Sequence, residues 1–99
     1  MSTYLVLAKM TQQGVQKAKD IPQRREAARQ DAESLGITLR EAFLTMGSYD
    51  VVLLLDAPDG ETLAKFVLKI GMRGNLTTET LRAFTSEEAD RVILSLIHI

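Results

Sequence analysis

Residues Ile37 to Asp56 read ITLREAFLTM GSYD VVLLLD, two runs of strand-forming side chains around four turn formers. A connection as short as Gly47-Ser48-Tyr49-Asp50 joins neighbouring antiparallel strands, so the segment predicts a β-hairpin. Upstream, Thr3 to Met10 (TYLVLAKM) is a further strand, after which Thr11 caps a short helical turn. Asp20-Ile21-Pro22 then opens a helix, with Asp20 as N-cap and Pro22 in the first turn; the helix runs to Leu35 and stops at Gly36. Its inward stripe is thin, Ile21, Ala28, Ala32 and Leu35, which predicts close packing against a sheet. Downstream, Asp59 caps a second helix whose Leu63, Phe66, Val67 and Ile70 recur on one face, and Gly71 and Gly74 end it. Asn75 or Leu76 to Phe84 reads as a fourth strand. Thr85-Ser86-Glu87-Glu88 has the form of a capping box ahead of a terminal helix, with Ala89, Val92, Ile93 and Leu96 as its buried stripe.

The order β-α-β-β-α-β-α is a split pair of βαβ units. It closes as a four-stranded antiparallel sheet in the order 4-1-3-2, with both main helices on one face. The predicted class is α+β: a ferredoxin-like plait plus a C-terminal helix, one domain over residues 1–99. The strand faces agree with that order. Tyr4, Val6, Ala8 and Met10 oppose Leu5 and Leu7; Val51, Leu53 and Leu55 oppose Val52 and Leu54; both strands are apolar on both faces, as central strands covered on both sides are. Strands two and four carry Thr38, Arg40, Glu41, Thr77, Thr78, Glu79, Thr80 and Arg82, as edges do. Two helices on one face leave the other bare, and the terminal helix, with a single stripe, shields only part of it. The expectation is sheet-to-sheet pairing of two copies, a closed homodimer or higher even oligomer burying about 800 Å² per partner. Charges placed at Leu53 and Leu55 are expected to dissolve the assembly or the fold.

Composition narrows the chemistry. Of 99 residues 45% are hydrophobic, and 12 basic side chains balance 13 acidic ones for a formal net charge of −1, which gives no electrostatic footprint for nucleic acid. The absence of cysteine removes a disulfide framework, a thiolate metal site and a Cys nucleophile, and the single histidine, His98, disfavours a His-built metal site, a catalytic triad or a haem ligand. His98 is expected in a frayed tail. Met10, Met46 and Met72 read as core filler, and no cofactor is expected. Met1-Ser2-Thr3-Tyr4 lacks a basic leader and no apolar run approaches a membrane span, so the expected location is cytoplasmic, with no membrane partner.

Gly47-Ser48-Tyr49-Asp50 resembles the Gly-x-Tyr-Asp signature of the GYD domain family. Tyr4, Thr11-x-x-Gly14, Pro22-x-Arg24, Ala57-Pro58-Asp59, Gly74-Asn75 and Thr78 to Phe84 (TETLRAF) are similar to that family in order and spacing, from Thr3 to about Leu94. The resemblance implies the fold of the dimeric α/β-barrel group and a sheet-packed dimer. That group includes cofactor-free monooxygenases, haem-degrading enzymes, peroxidases, a lactone isomerase and effector-binding domains of leucine-responsive regulators; the resemblance itself lends no reaction.

The candidate catalytic pair is Tyr49 and Asp50, a phenol beside a carboxylate placed to orient or deprotonate a small substrate; the structural alternative is that Asp50 holds the turn amides and Tyr49 packs over the hairpin end. Candidate ligand-binding residues are Tyr4, Lys9, Thr45, Arg82 and Arg25. Arg24, Arg25 and Arg29 crowd the front of the first helix, where the dipole disfavours cations; they form either an anion site for a carboxylate ligand or a solvated face paired with Glu26 and Glu33. Lys9, among apolar neighbours, either snorkels past the strand end or meets a buried carboxylate. Arg82 shares an edge-strand face with Thr78 and Thr80, opposite Glu79. Three functions fit: a small-molecule-binding oligomer with its pocket near the sheet or the dimer seam, a cofactor-independent enzyme of the monooxygenase or isomerase sort with Tyr49, Asp50, Arg82 and Thr45 lining a cleft, or an assembly module without a ligand.

Overall fold

The computed structural model describes residues 1–97, so the expectation for His98 lies outside the described residues. Strand β1 (Ser2–Met10) is followed by the short helix α1 (Gln12–Gln16), a 3-10 turn (Ala18–Asp20) and helix α2 (Ile21–Ser34). The hairpin β2 (Thr38–Leu44) and β3 (Val51–Ala57) comes next, then α3 (Gly60–Gly71), β4 (Leu76–Ala83) and α4 (Ser86–Ile97). All pairings are antiparallel and the sheet order is β2-β3-β1-β4, the predicted plait.

The ends of these elements follow from local chemistry. Thr11 accepts from the Gly14 amide at 3.1 Å to start α1, and Asp59 accepts from the Thr62 amide at 2.7 Å to start α3. After α2 the Gly36 amide reaches the Glu33 carbonyl and the Ile37 amide the Ala32 carbonyl, a Schellman stop with Gly36 at φ +73°. Asp20 makes no side-chain cap, contrary to expectation, because the 3-10 turn runs straight into α2. Register slips once, between Leu39 and Glu41, where Arg40 is the extra residue of a β-bulge on the β2 edge.

The core lies between the sheet and α2 and α3. Val6, Leu53, Leu55 and Ala57 meet Leu63, Phe66 and Ile70 of α3 and Ala32 of α2, all buried. Leu53 and Leu55 thus belong to the covered face, so charges there are expected to unfold the chain rather than only part an assembly, and the open wall is formed by their alternates. Met46 and Met72 are exposed rather than core, at the hairpin tip and just past α3.

Helix α4 departs most from expectation. Its capping box forms as predicted, Thr85 N donating to Glu88 Oε1 at 3.0 Å and Glu88 N to Thr85 Oγ1 at 3.2 Å. Its stripe is not buried: Val92, Ile93 and Leu96 are 56%, 54% and 70% exposed, and no described α4 residue is buried. The molecule is accordingly elongated, 53 × 31 × 18 Å, with a radius of gyration of 15.1 Å where about 13 Å is usual for its length.

Candidate functional site

The open side of the sheet is a patterned surface. Cross-strand partners form two rows, Phe43-Val52-Leu7-Glu79 and Glu41-Leu54-Leu5-Leu81. Leu5, Leu7, Val52 and Leu54 make a contiguous aliphatic block at the centre, flanked diagonally by the exposed Phe43 and Leu81. Polar groups close both ends. At one end Thr3 Oγ1 donates to Asp56 Oδ1 at 3.0 Å, and Arg40 Nη1 lies 3.6 Å from the same oxygen. At the other, Tyr49 Oη donates to Glu79 Oε2, and Lys9 Nζ stands 5.5 Å from the Tyr49 ring centroid. Lys9 is exposed there, so the snorkelling alternative holds. The hydrogen bond to Glu79 is the main cause that raises the Tyr49 phenol above its usual pKa, with burial and the Glu79 charge adding to it. At neutral pH Tyr49 is therefore a donor already engaged, not a base.

Asp50 faces elsewhere. Its Oδ2 accepts from the Met10 amide at 2.8 Å, while its backbone amide donates to the Ala8 carbonyl at 2.8 Å. The carboxylate thus locks the hairpin to the end of β1, forty residues away in sequence, rather than holding turn amides. Thr45 completes the hairpin by donating to the Tyr49 carbonyl at 2.6 Å. Tyr4 and Arg82 sit near the far end of the sheet. The Arg82 guanidinium lies 4.3 Å from the Phe84 ring centroid and 5.5 Å from that of Tyr4, donates to the Thr3 carbonyl at 3.2 Å, and pairs with Glu88 at 3.6 Å. With Arg82 opposite Tyr4 and Asp50 tied to Met10, six residues along β1 separate them by about 20 Å. Tyr49, Asp50, Thr45 and Arg82 do not converge on one cleft.

A concavity with mostly apolar walls lies on the helix side, under the first turns of α2. A cavity of about 110 Å³ is walled by Met10, Ile21, Ala28, Leu39, Ala42, Phe43, Leu44, Val51, Leu53 and Leu76, with Arg24 and Arg25 the only charged groups. The thin stripe of α2 therefore packs closely at Ala32 but leaves space where Ala28 faces the sheet near Ala42. The three arginines have separate fates. Arg29 Nε lies 3.8 Å from Glu26. Arg24 Nη2 donates to the Gly14 and Lys17 carbonyls at 3.0 and 2.7 Å, and its Nε is buried without a partner. Arg25 is exposed at the cavity rim and forms no ion pair among the described residues. Sequence reasoning singled out Arg25 and a pocket near the sheet, but not the residues that wall the cavity. The signal was present in two small residues, Ala28 and Ala42, at inward positions of facing elements. It also missed Glu79 as the partner of Tyr49, which follows only from the β1–β4 register. Among the described residues no cluster of three or more His, Cys, Asp or Glu is placed to hold a metal.

The GYD domain family model matches residues 4–93. The chain belongs to the GYD domain family. It is 31% identical over 84 residues to a Thermus thermophilus protein named glutamine synthetase and cystathionine beta-lyase binding protein; the match spans 84% of this chain and 88% of that one. A crystal structure of a Thermus thermophilus protein is similar at a TM-score of 0.57 and 27% identity, covering 87% of this chain and 96% of that chain. Several GYD-like features of the sequence have a structural explanation here. Thr11 Oγ1 donates to the Gly74 carbonyl at 2.6 Å, the Thr11 amide to the Asn75 carbonyl at 3.0 Å, and Gln13 Nε2 to Asn75 Oδ1 at 3.1 Å. Gly14 lies so close to Asn75 that a Cβ would collide with its carbonyl oxygen. The Thr-x-x-Gly and Gly-Asn pairs of this GYD domain are thus two halves of one clasp between α1 and the α3–β4 connection.

Proposed function

We propose that this GYD-family protein works by binding: two copies pair through the open sheet face, and the pair docks on a partner protein. The observation that carries the reading is the aliphatic block of Leu5, Leu7, Val52 and Leu54, uncovered within the chain and closed at both ends by polar clusters. An apolar centre with a polar rim is the anatomy of a protein interface. Helix α4 supports it. An isolated helix of 12 residues is marginal in water, and this one carries an exposed apolar stripe, so in the assembly it lies against the second copy. The partner-protein half of the reading draws on the Thermus relative, which is named for binding two enzymes. Among the described residues no helix is long and apolar enough to cross a membrane. The location we assign is cytoplasmic. Light scattering at micromolar concentration tests the pairing: an even oligomer is expected, and a monomer refutes it.

The cavity under α2 favours a second property of the same assembly, uptake of a small molecule. Apolar walls with few polar groups at the mouth are the usual make-up of a ligand site. Native mass spectrometry of protein from its source tests this by retained mass.

A further inference from the structure

From the cavity we infer the class of ligand: a small apolar monocarboxylate, its chain under α2 and its carboxylate on Arg25. The inference rests on the small-molecule reading above. Size comes first. A dry cavity of about 150 Å³ accommodates benzene, so a volume of about 110 Å³ suits a chain of about four to six carbons. Polarity comes next. Ala28, Ala42, Val51, Leu53 and Leu76 offer no donor or acceptor from their side chains, so a polar tail is left unsatisfied there and an aliphatic one is not.

Charge supplies the rest. No Asp or Glu lines the cavity, and its two charged groups are both guanidinium ions. Neither has a carboxylate within ion-pair distance among the described residues, whereas Arg29, one turn further along α2, pairs with Glu26. Arg24 is fixed by the Gly14 and Lys17 carbonyls, which leaves its positive charge uncompensated at the wall. Arg25, exposed and unpaired, presents the planar fork that matches a carboxylate. Two adjacent cations near the positive end of a helix are unfavourable alone and become favourable when an anion sits between them and the dipole.

Calorimetric titration with hexanoate, hexanol and acetate at neutral pH tests the assignment, with circular dichroism confirming that each variant folds. Hexanoate is expected to bind, and hexanol and acetate to bind at least about tenfold more weakly, since a hydrogen bond to a charged group and the apolar chain each contribute about that factor. Arg25→Gln, an exposed change, should weaken hexanoate about tenfold and leave hexanol unaltered. Ala28→Leu should fill the cavity and abolish binding of both. Equal affinity for hexanol and hexanoate, or an Arg25→Gln variant that binds hexanoate as tightly as the parent, overturns the carboxylate assignment while leaving the small-molecule reading in place. Failure of every probe to bind overturns both.

Discussion

Leu54→Asp places a carboxylate in the middle of the aliphatic block and separates assembly from folding. In the single chain Leu54 is only half-buried, between Leu5 and Glu41, so the aspartate keeps contact with water and the fold loses at most about 2 kcal/mol. In the proposed pair the same group would be buried twice, once per protomer. The parent interface gains from six side chains, of which Phe43 and Leu81 start 49% and 41% exposed and four aliphatic ones start less exposed. At about 0.5–1 kcal/mol for each remaining exposed portion, the two copies gain about 6–12 kcal/mol, to which the α4 stripes add. That is of the same order as the association cost of about 4–15 kcal/mol, so the pair has little reserve. Two buried, unpaired carboxylates at about 3 kcal/mol each weaken it by about four orders of magnitude. Sedimentation or light scattering should show an even oligomer for the parent and a folded monomer for the variant at tens of micromolar. An oligomer that survives Leu54→Asp refutes the assignment of this face.

Gly14→Ala forces a methyl group into the Asn75 carbonyl and should cost about 1–3 kcal/mol, read as a lowered midpoint in urea. Asp50→Ala leaves the Met10 amide without its acceptor; a loss of about 1–2 kcal/mol with oligomeric state unchanged is expected from a denaturant titration. The Thr62 amide holds the Asp59 carboxyl below its usual pKa, and the Thr85 amide, helped by Arg82, does the same for Glu88. Because both folded-state values are depressed, their stabilisation is complete above the ordinary carboxylate pKa and is lost as pH falls through the lower folded values, below about pH 4. A thermal melt series in acid should show this loss, and Asp59→Asn should make it shallower.

The architecture was legible because each boundary carries its own chemistry. Asp59, Gly36 and the Thr85–Glu88 box mark ends without reference to the rest of the chain, and period-two patterning put β1 and β3 at the centre. What stayed hidden depends on tertiary register. The stripe of α4 reads as buried because amphipathicity records that a helix needs a partner, not whether its own chain supplies one. Asp20 has the identity of a cap, but the preceding 3-10 turn leaves it nothing to cap. For the site, adjacency in sequence misled: Tyr49 and Asp50 are neighbours whose side chains leave to β4 and β1, while Arg25 and Ala42 are brought to one cavity from separate elements.

The bulge at Arg40 has a consequence for what this sheet avoids. A flat border strand offers a ladder of free amides on which further chains stack edge to edge without limit. Here the outermost strand is kinked midway and carries a guanidinium at the kink, so the ladder is broken after a few rungs. Growth along that border is hindered, whereas the proposed pairing through the greasy wall is a contact that ends once it is covered.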